Sequence, residues 1–204
     1  IHLMKEVIDT IYSLWDTKWP IPETARQLIA HSQEILKDEG HLAPASVLDR
    51  VTVNVGTISG GEKVNMIPGK CEAAFDLRIP IGIPTREVLQ QLEQRIVEQF
   101  AEEVDIVVKA SPNDANFTLP DDPFVELVLH SISEIANEEA QPVLQWASSD
   151  ARYFRYRDIP TVQFGPAELA GIHSYNERVK VDDVVEATRV YALLMHDFLR
   201  KRGP

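Results

Sequence analysis

Two period-two stretches separated by a glycine pair constrain this chain more than anything else in it. Val51 to Ser59 reads V-T-V-N-V-G-T-I-S, with valines on one face, and Gly60-Gly61 turns the chain. Val64 to Pro80 then supplies a second stretch, in which Cys71, Ala73, Phe75 and Leu77 alternate with Glu72, Ala74, Asp76 and Arg78. A strand exposes alternate residues on opposite faces, so this pattern predicts a hairpin with one apolar side that must be covered. The cover comes from both sides in sequence. Ile1 to Trp15 carries Ile1, Met4, Val7, Ile8, Ile11, Leu14 and Trp15 at helical spacing, and Thr85 to Phe100 carries Val88, Leu92, Ile96 and Phe100, with Thr85 as its expected cap. Asp105 to Ala110 (D-I-V-V-K-A) reads as a further strand.

The order helix, strand, strand, helix, strand matches a ferredoxin-like βαββαβ sheet without its first strand, over residues 1–115. Asp16 to Pro22 breaks the first helix through Pro20 and Pro22. A second helix follows to Lys37 and stops at Gly40, which reads as an insertion. Ser111 to Asp122 is rich in Pro, Asn and Asp and marks a boundary. From residue 116 onward, helices alternate with short apolar runs. A helix runs from Pro123 to about Glu139, and Val143 to Trp146 is a strand. Ala151 to Arg157 makes a helical turn or two, and Thr161 to Phe164 is another strand. A last helix is capped by Asp182, with Val185, Thr188, Val190, Tyr191, Leu194 and Phe198 as its buried stripe. That alternation describes an α/β layer.

The net charge of -12 argues against nucleic acid or an anionic membrane as partner, since both want a basic face. No apolar run approaches the ~20 residues of a membrane span. A single cysteine, Cys71, cannot close an internal disulfide, which fits a reducing, cytoplasmic compartment; it reads as a small buried strand residue rather than a nucleophile. His31 and His41 read as surface or packing residues.

Two spaced motifs carry more than pattern. They are G-G-E-K-V-N-M-I-P-G-K-C-E-A-A-F-D-L-R at Gly60 to Arg78 and W-A-S-S-D-A-R-Y-F-R-Y-R-D-I-P-T-V-Q-F-G-P-A-E-L-A-G-I-H-S-Y-N-E-R-V at Trp146 to Val179. Together they resemble the C-terminal half of the zinc-dependent amidohydrolase and peptidase family of acetylornithine deacetylase, succinyl-diaminopimelate desuccinylase, aminoacylase and carboxypeptidase G. The resemblance implies a lid and dimerisation domain over residues 1–115, incomplete by its first strand. The second half of an α/β catalytic domain would follow over 116–204. It implies a site holding two zinc ions, with cobalt or manganese as alternatives. The substrate would be a small N-acyl amino acid or peptide, and the assembly a homodimer built through the lid.

The resemblance also assigns residues. His173, in H-x-x-N-E, would be a metal ligand, and a neutral imidazole suits zinc; a packing histidine is the plain alternative. Glu177 would orient His173, or else is simply the first polar residue before the last helix. In S-S-D-A-R, Ser149 and Arg152 would meet the substrate's carboxylate, for which a guanidinium offers a planar fork, while Asp150 holds the loop. Asn65 would donate to the oxyanion, in some relatives from the opposite subunit, or else supports its turn. Arg78 would bind a substrate carboxylate, or else makes a strand-edge ion pair. The family's His-x-Asp motif has no counterpart, because the six histidines are followed two positions on by Met4, Gln33, Ala43, Ile132, Tyr175 and Phe198. Its Glu-Glu base has none either, since Glu102-Glu103 and Glu138-Glu139 read as solvated helix ends. The expectation is a piece of a hydrolase, inactive alone for want of the general base and most metal ligands. A non-catalytic dimerisation or interaction module is the alternative.

Overall fold

The computed structural model describes residues 1–109, 113–166, 168 and 175–201. The chain divides into two compact units. One holds Ile1–Ala115 with Leu144–Trp146, and the other holds Asn116–Val143 with Ala147–Pro204.

In the first unit, β1 (Thr52–Gly60) and β2 (Cys71–Arg78) pair antiparallel, from Thr52 opposite Arg78 to Gly60 opposite Cys71. The register slips between Val55 and Thr57, leaving Gly56 as a bulge. The bulge has a visible purpose. Val53 and Val55 stand two apart but Ile58 is out of phase with them; one extra residue returns Ile58 to their face, opposite Ala73. Helices α1 (His2–Tyr12) and α4 (Thr85–Phe100) cover the near half of the hairpin. Val7, Ile11, Leu14, Val51, Val53, Ile83, Val88, Leu92, Ile96 and Phe100 form the core, with Phe75 and Leu77 packed against it. The far half has no such cover among the described residues, and Ile58 is 56% exposed.

Helix α2 (Glu23–Asp38) ends as its glycine predicts. Gly40 adopts φ 84°, its N–H donates to the carbonyl of Lys37, and the N–H of His41 donates to the carbonyl of Leu36. A six-residue helix α3 (Leu42–Val47) follows, which the sequence reading passed over. The cap of α4 also differs from expectation. Thr85 lies inside the helix, and its N–H is met by Asp114 Oδ1 at 2.7 Å while its hydroxyl donates to the Asn113 carbonyl at 3.1 Å.

Three expected strands are absent among the described residues, so the sheet has two strands. Residues 105–109 have no neighbouring strand to pair with, and Val107 is 76% exposed. At 143–146 the N–H of Leu144 is taken by the buried Ser32 hydroxyl at 2.9 Å, inside the first unit. At 161–164, side chains occupy both backbone groups of Thr161. Backbone groups bonded to side chains cannot join a ladder. The second unit is therefore helical and irregular in its described residues, and the alternation read as an α/β layer is not met by strands there.

That unit is built on α5 (Pro123–Ala136) packed against α7 (Val181–Lys201). Asp122 Oδ1 accepts the Phe124 N–H at 2.8 Å and caps α5, with Pro123 at the first helical position where its missing N–H costs nothing. Phe124 and Phe198 meet edge to face at 6.0 Å. Asp182 lies within the first turn of α7 rather than capping it. The stripe expected on α7 is only partly covered: Val190 is buried, whereas Val185 and Tyr191 are 45% and 43% exposed.

Candidate substrate-contact site

The S-S-D-A-R segment leads into α6 (Ala151–Arg155), a helix of five residues, and supplies its first two. One turn is too short to be stable by itself, so its place is set by bonds to other segments. Its end is closed by two backbone bonds, from the N–H of Ile159 to the Phe154 carbonyl and from the N–H of Asp158 to the Arg155 carbonyl. Asp158 sits at φ 55°, the left-handed position that usually takes glycine.

Arg152 is half-buried. Its Nη1 donates to Ser148 Oγ at 2.7 Å and its Nη2 to the Tyr153 hydroxyl at 2.9 Å, with the guanidinium 4.7 Å from the Tyr153 ring centre. The hydrogen bond to Tyr153 and the phenol's charge raise the Arg152 pKa further. Its Nε is buried without a hydrogen-bond partner among the described residues. The Ser149 carbonyl receives the Arg152 N–H at 3.4 Å, so both serines of the segment lie against Arg152, Ser148 through its hydroxyl and Ser149 through its backbone.

Around α6 lies a set of residues the sequence reading did not single out. The Asn116 amide donates to the Arg152 carbonyl at 3.1 Å. Arg155 donates to the Thr161 carbonyl from Nε at 3.2 Å and from Nη2 at 2.8 Å, and to the Asn116 carbonyl from Nη1 at 3.4 Å. The Thr118 hydroxyl donates to the Thr161 carbonyl and accepts the Thr161 N–H. Burial pushes the Arg155 pKa down. These partners lie 36 to 43 residues apart across the Asn116–Arg152 and Thr118–Thr161 bonds, so no local pattern announces them.

The remaining predicted residues fall in different places. Asn65 and Arg78 belong to the first unit, and Ser149, Arg152 and Glu177 to the second. Arg78 pairs with Asp76 at 3.2 Å on the exposed side of β2, which is the strand-edge ion pair given as its alternative. Asn65 is exposed in the loop beyond Gly60, between Val64 and Met66, which are themselves 107% and 52% exposed. Arg78 closes one end of the hairpin and Asn65 lies past the other. Eight paired positions at ~3.3 Å per residue make the paired hairpin between them about 25 Å long.

Glu177 is exposed and follows Asn176 at φ 61°. His173 lies outside the described residues. Arg178 grips Glu168 through two bonds of 2.9 and 3.1 Å, and this contact holds the Glu168 carboxyl below the usual range. Among the described residues no three His, Cys, Asp or Glu side chains gather as a metal ion would need. Glu102, Glu103, Glu138 and Glu139 are all exposed, as solvated helix ends should be, and His31 is exposed. Cys71 is half-buried at the start of β2. No helix among the described residues is long and apolar enough to cross a membrane.

A model of "Peptidase family M20/M25/M40" matches residues 25–197. A succinyl-diaminopimelate desuccinylase of Bradyrhizobium diazoefficiens is 28% identical over 175 residues, covering 84% of this chain and 43% of that protein. One of Cereibacter sphaeroides is 29% identical over 171 residues, covering 82% and 42%. Among solved structures, an M20 family metallo-carboxypeptidase from Sulfolobus solfataricus superposes with a TM-score of 0.63 at 17% identity, over 94% of this chain and 51% of that one. Human carnosine dipeptidase 1 gives 0.53 at 17% identity, over 90% and 44%. The chain spans a little over two fifths of the length of the curated relatives it matches.

Proposed function

We propose a function from one premise: the chain belongs to peptidase family M20/M25/M40. The protein containing it hydrolyses an amide bond of a small N-acyl amino acid or peptide. Water adds to the carbonyl carbon, the C–N bond breaks, and a carboxylate and an amine leave. The printed names of the relatives, a desuccinylase and a metallo-carboxypeptidase, support that reaction class. The zinc pair that the resemblance implies would take His173 as one ligand, with Glu177 orienting it, and would supply the polarised carbonyl and activated water. The described residues would contribute substrate holding through Arg152 and Arg78 and an oxyanion donor in Asn65.

The observation that carries the reading is Arg152. Its guanidinium is anchored by Ser148 and Tyr153 at an accessible helical turn with no carboxylate bonded to it among the described residues. A fixed fork of this kind receives a substrate carboxylate bidentately. Calorimetry with succinate tests it. The chain binds succinate and Arg152→Met does not; equal binding by both removes Arg152 from the site.

Asn65 and Arg78 enter through the length of the hairpin. A single N-acyl amino acid is far shorter than the paired hairpin between Arg78 and the loop that holds Asn65, which supports assigning the two residues to the sites of different copies. Asn65 therefore serves the site of a second copy in a homodimer built through the lid, donating to the oxyanion, and Arg78 exchanges Asp76 for a substrate carboxylate. The uncovered half of the hairpin, with Val64, Met66 and Ile67 exposed at its end, is also what favours the second reading, a dimerisation module without chemistry of its own. Light scattering should give a mass above the 23.0 kDa of one chain at high concentration. A monomer throughout sinks both the shared site and the module.

A further inference from the structure

We propose that Arg155 is a positioning residue for Arg152, acting with Asn116 as a clasp that fixes the turn from Ser148 to Arg152. The proposal rests on the carboxylate-binding reading of Arg152. Arg155 is an unusual way to fill space beneath a five-residue helix. Its side chain is half-buried, and among the described residues it bonds to no carboxylate. Taking a guanidinium out of water without a counter-ion costs free energy, which a leucine or methionine at the same place would avoid. What the guanidinium alone supplies is a planar array of donors that can bond two backbone segments at once. Here those segments are the carbonyls of Thr161 and Asn116.

Asn116 links the two arginines. Its carbonyl receives Arg155 and its side-chain amide donates to the Arg152 carbonyl, so one residue joins the clasp to the backbone of the proposed substrate contact. Thr118, two residues on, fastens the same segment to Thr161 through both its donor and its acceptor. The base of α6 is thereby held on two sides. At its N-terminal end α6 has no side-chain cap from Asp150, and the Asn116 amide on the Arg152 carbonyl ties that end to a distant segment. The aim of Arg152 thus depends on the segment that Arg155 holds. Partners that orient a ligand-contacting group without touching the ligand set its affinity through geometry alone.

The experiment uses the whole 204-residue chain labelled with nitrogen-15, with succinate as the probe. The readouts are the succinate dissociation constant, the Nε–Hε resonance of Arg152 and the thermal midpoint. Arg155→Met should weaken succinate by about tenfold, the low end for loss of an orienting partner, and should move the Arg152 resonance. Arg155→Lys keeps the cation and one donor, so it should recover part of the affinity. Asn116→Ala should reproduce the Arg155→Met loss, and the double variant should add little to either.

Succinate binding and an Arg152 resonance both unchanged in Arg155→Met overturn the proposal. So does an affinity loss that merely follows the thermal midpoint. If Arg155→Met does not fold, Arg155→Lys decides by the same two readouts. If Arg152→Met binds succinate as well as the parent chain, the carboxylate reading has failed. The Arg152 resonance then still judges the clasp, because it needs no ligand.

Discussion

Helices α4 and α7 read alike in the sequence and fold differently. Each shows apolar residues at helical spacing over four turns or more. In α4 all four, Val88, Leu92, Ile96 and Phe100, are at most 5% exposed. In the α7 stripe Val190 is buried and Leu194 and Phe198 are half-buried, while Val185 and Tyr191 are 45% and 43% exposed. Periodicity therefore reports that a helix has an apolar face, not that anything in the same chain covers it. Coverage comes from partners: α4 has the hairpin and α1, whereas α7 has α5 along one side. Fully burying side chains of this size stabilises by roughly 2 kcal/mol each, so the two helices contribute very unequally to their units.

Paired truncations test the contrast most directly. Ile96→Ala should cost about 3 kcal/mol, because it opens a cavity at a site with no exposure. Met195→Ala should cost less than about 0.5 kcal/mol. Trp15, Trp19 and Trp146 all lie in the first unit, so tryptophan fluorescence in urea follows that unit, with circular dichroism following α7. Equal losses would break the comparison.

Tyr191→Phe sharpens it. The Tyr191 hydroxyl donates to the Phe164 carbonyl at 2.5 Å and the two rings meet at 5.7 Å, so the exposed face of α7 is used in part to seat residues 161–164. Removing that hydroxyl should cost about 1 kcal/mol of stability. A neutral result would mean the seat is held by ring packing alone.

The smallest effect concerns Glu168. Arg178 lowers its folded-state pKa, so the stabilisation is complete above the ordinary carboxylate value of 4.5 and is lost as acid titrates the carboxyl below it. Glu168→Gln should flatten that acid-side loss and leave neutral stability nearly unchanged, since the pair is exposed. Acid titrations of the two proteins that superimpose would count against it.

What could be read from the sequence follows the same line. The hairpin, α1, α2, α4, α5 and α7 were legible because a buried face imposes a period that local composition carries. Residues 105–109, 143–146 and 161–164 carry the same apolar composition, but a strand also needs a neighbour to bond to, and that is a fact about distant residues. Leu144 met Ser32 and Thr161 met Thr118 and Arg155 instead. Helix α3 escaped notice because Leu42–Val47 is short and contains Pro44, which the first turn of a helix tolerates.

At the candidate site, S-S-D-A-R put Ser148, Ser149 and Arg152 side by side, but the run did not say that the Ser148 hydroxyl would meet the guanidinium, which depends on how the backbone turns. Asn116 sat in a run whose composition marked only a linker. Its use as a clasp is decided by a residue 36 positions away.

The short excursion of Leu144–Trp146 into the first unit has a consequence for dissection. The backbone passes between the units three times, near residues 115, 143 and 147, so no single protease cut releases either one whole. A gene truncated at Ala115 would encode a first unit stripped of Trp146 and of the amide that Ser32 accepts. Independent expression of that unit calls for a permuted or spliced gene that carries the three residues along.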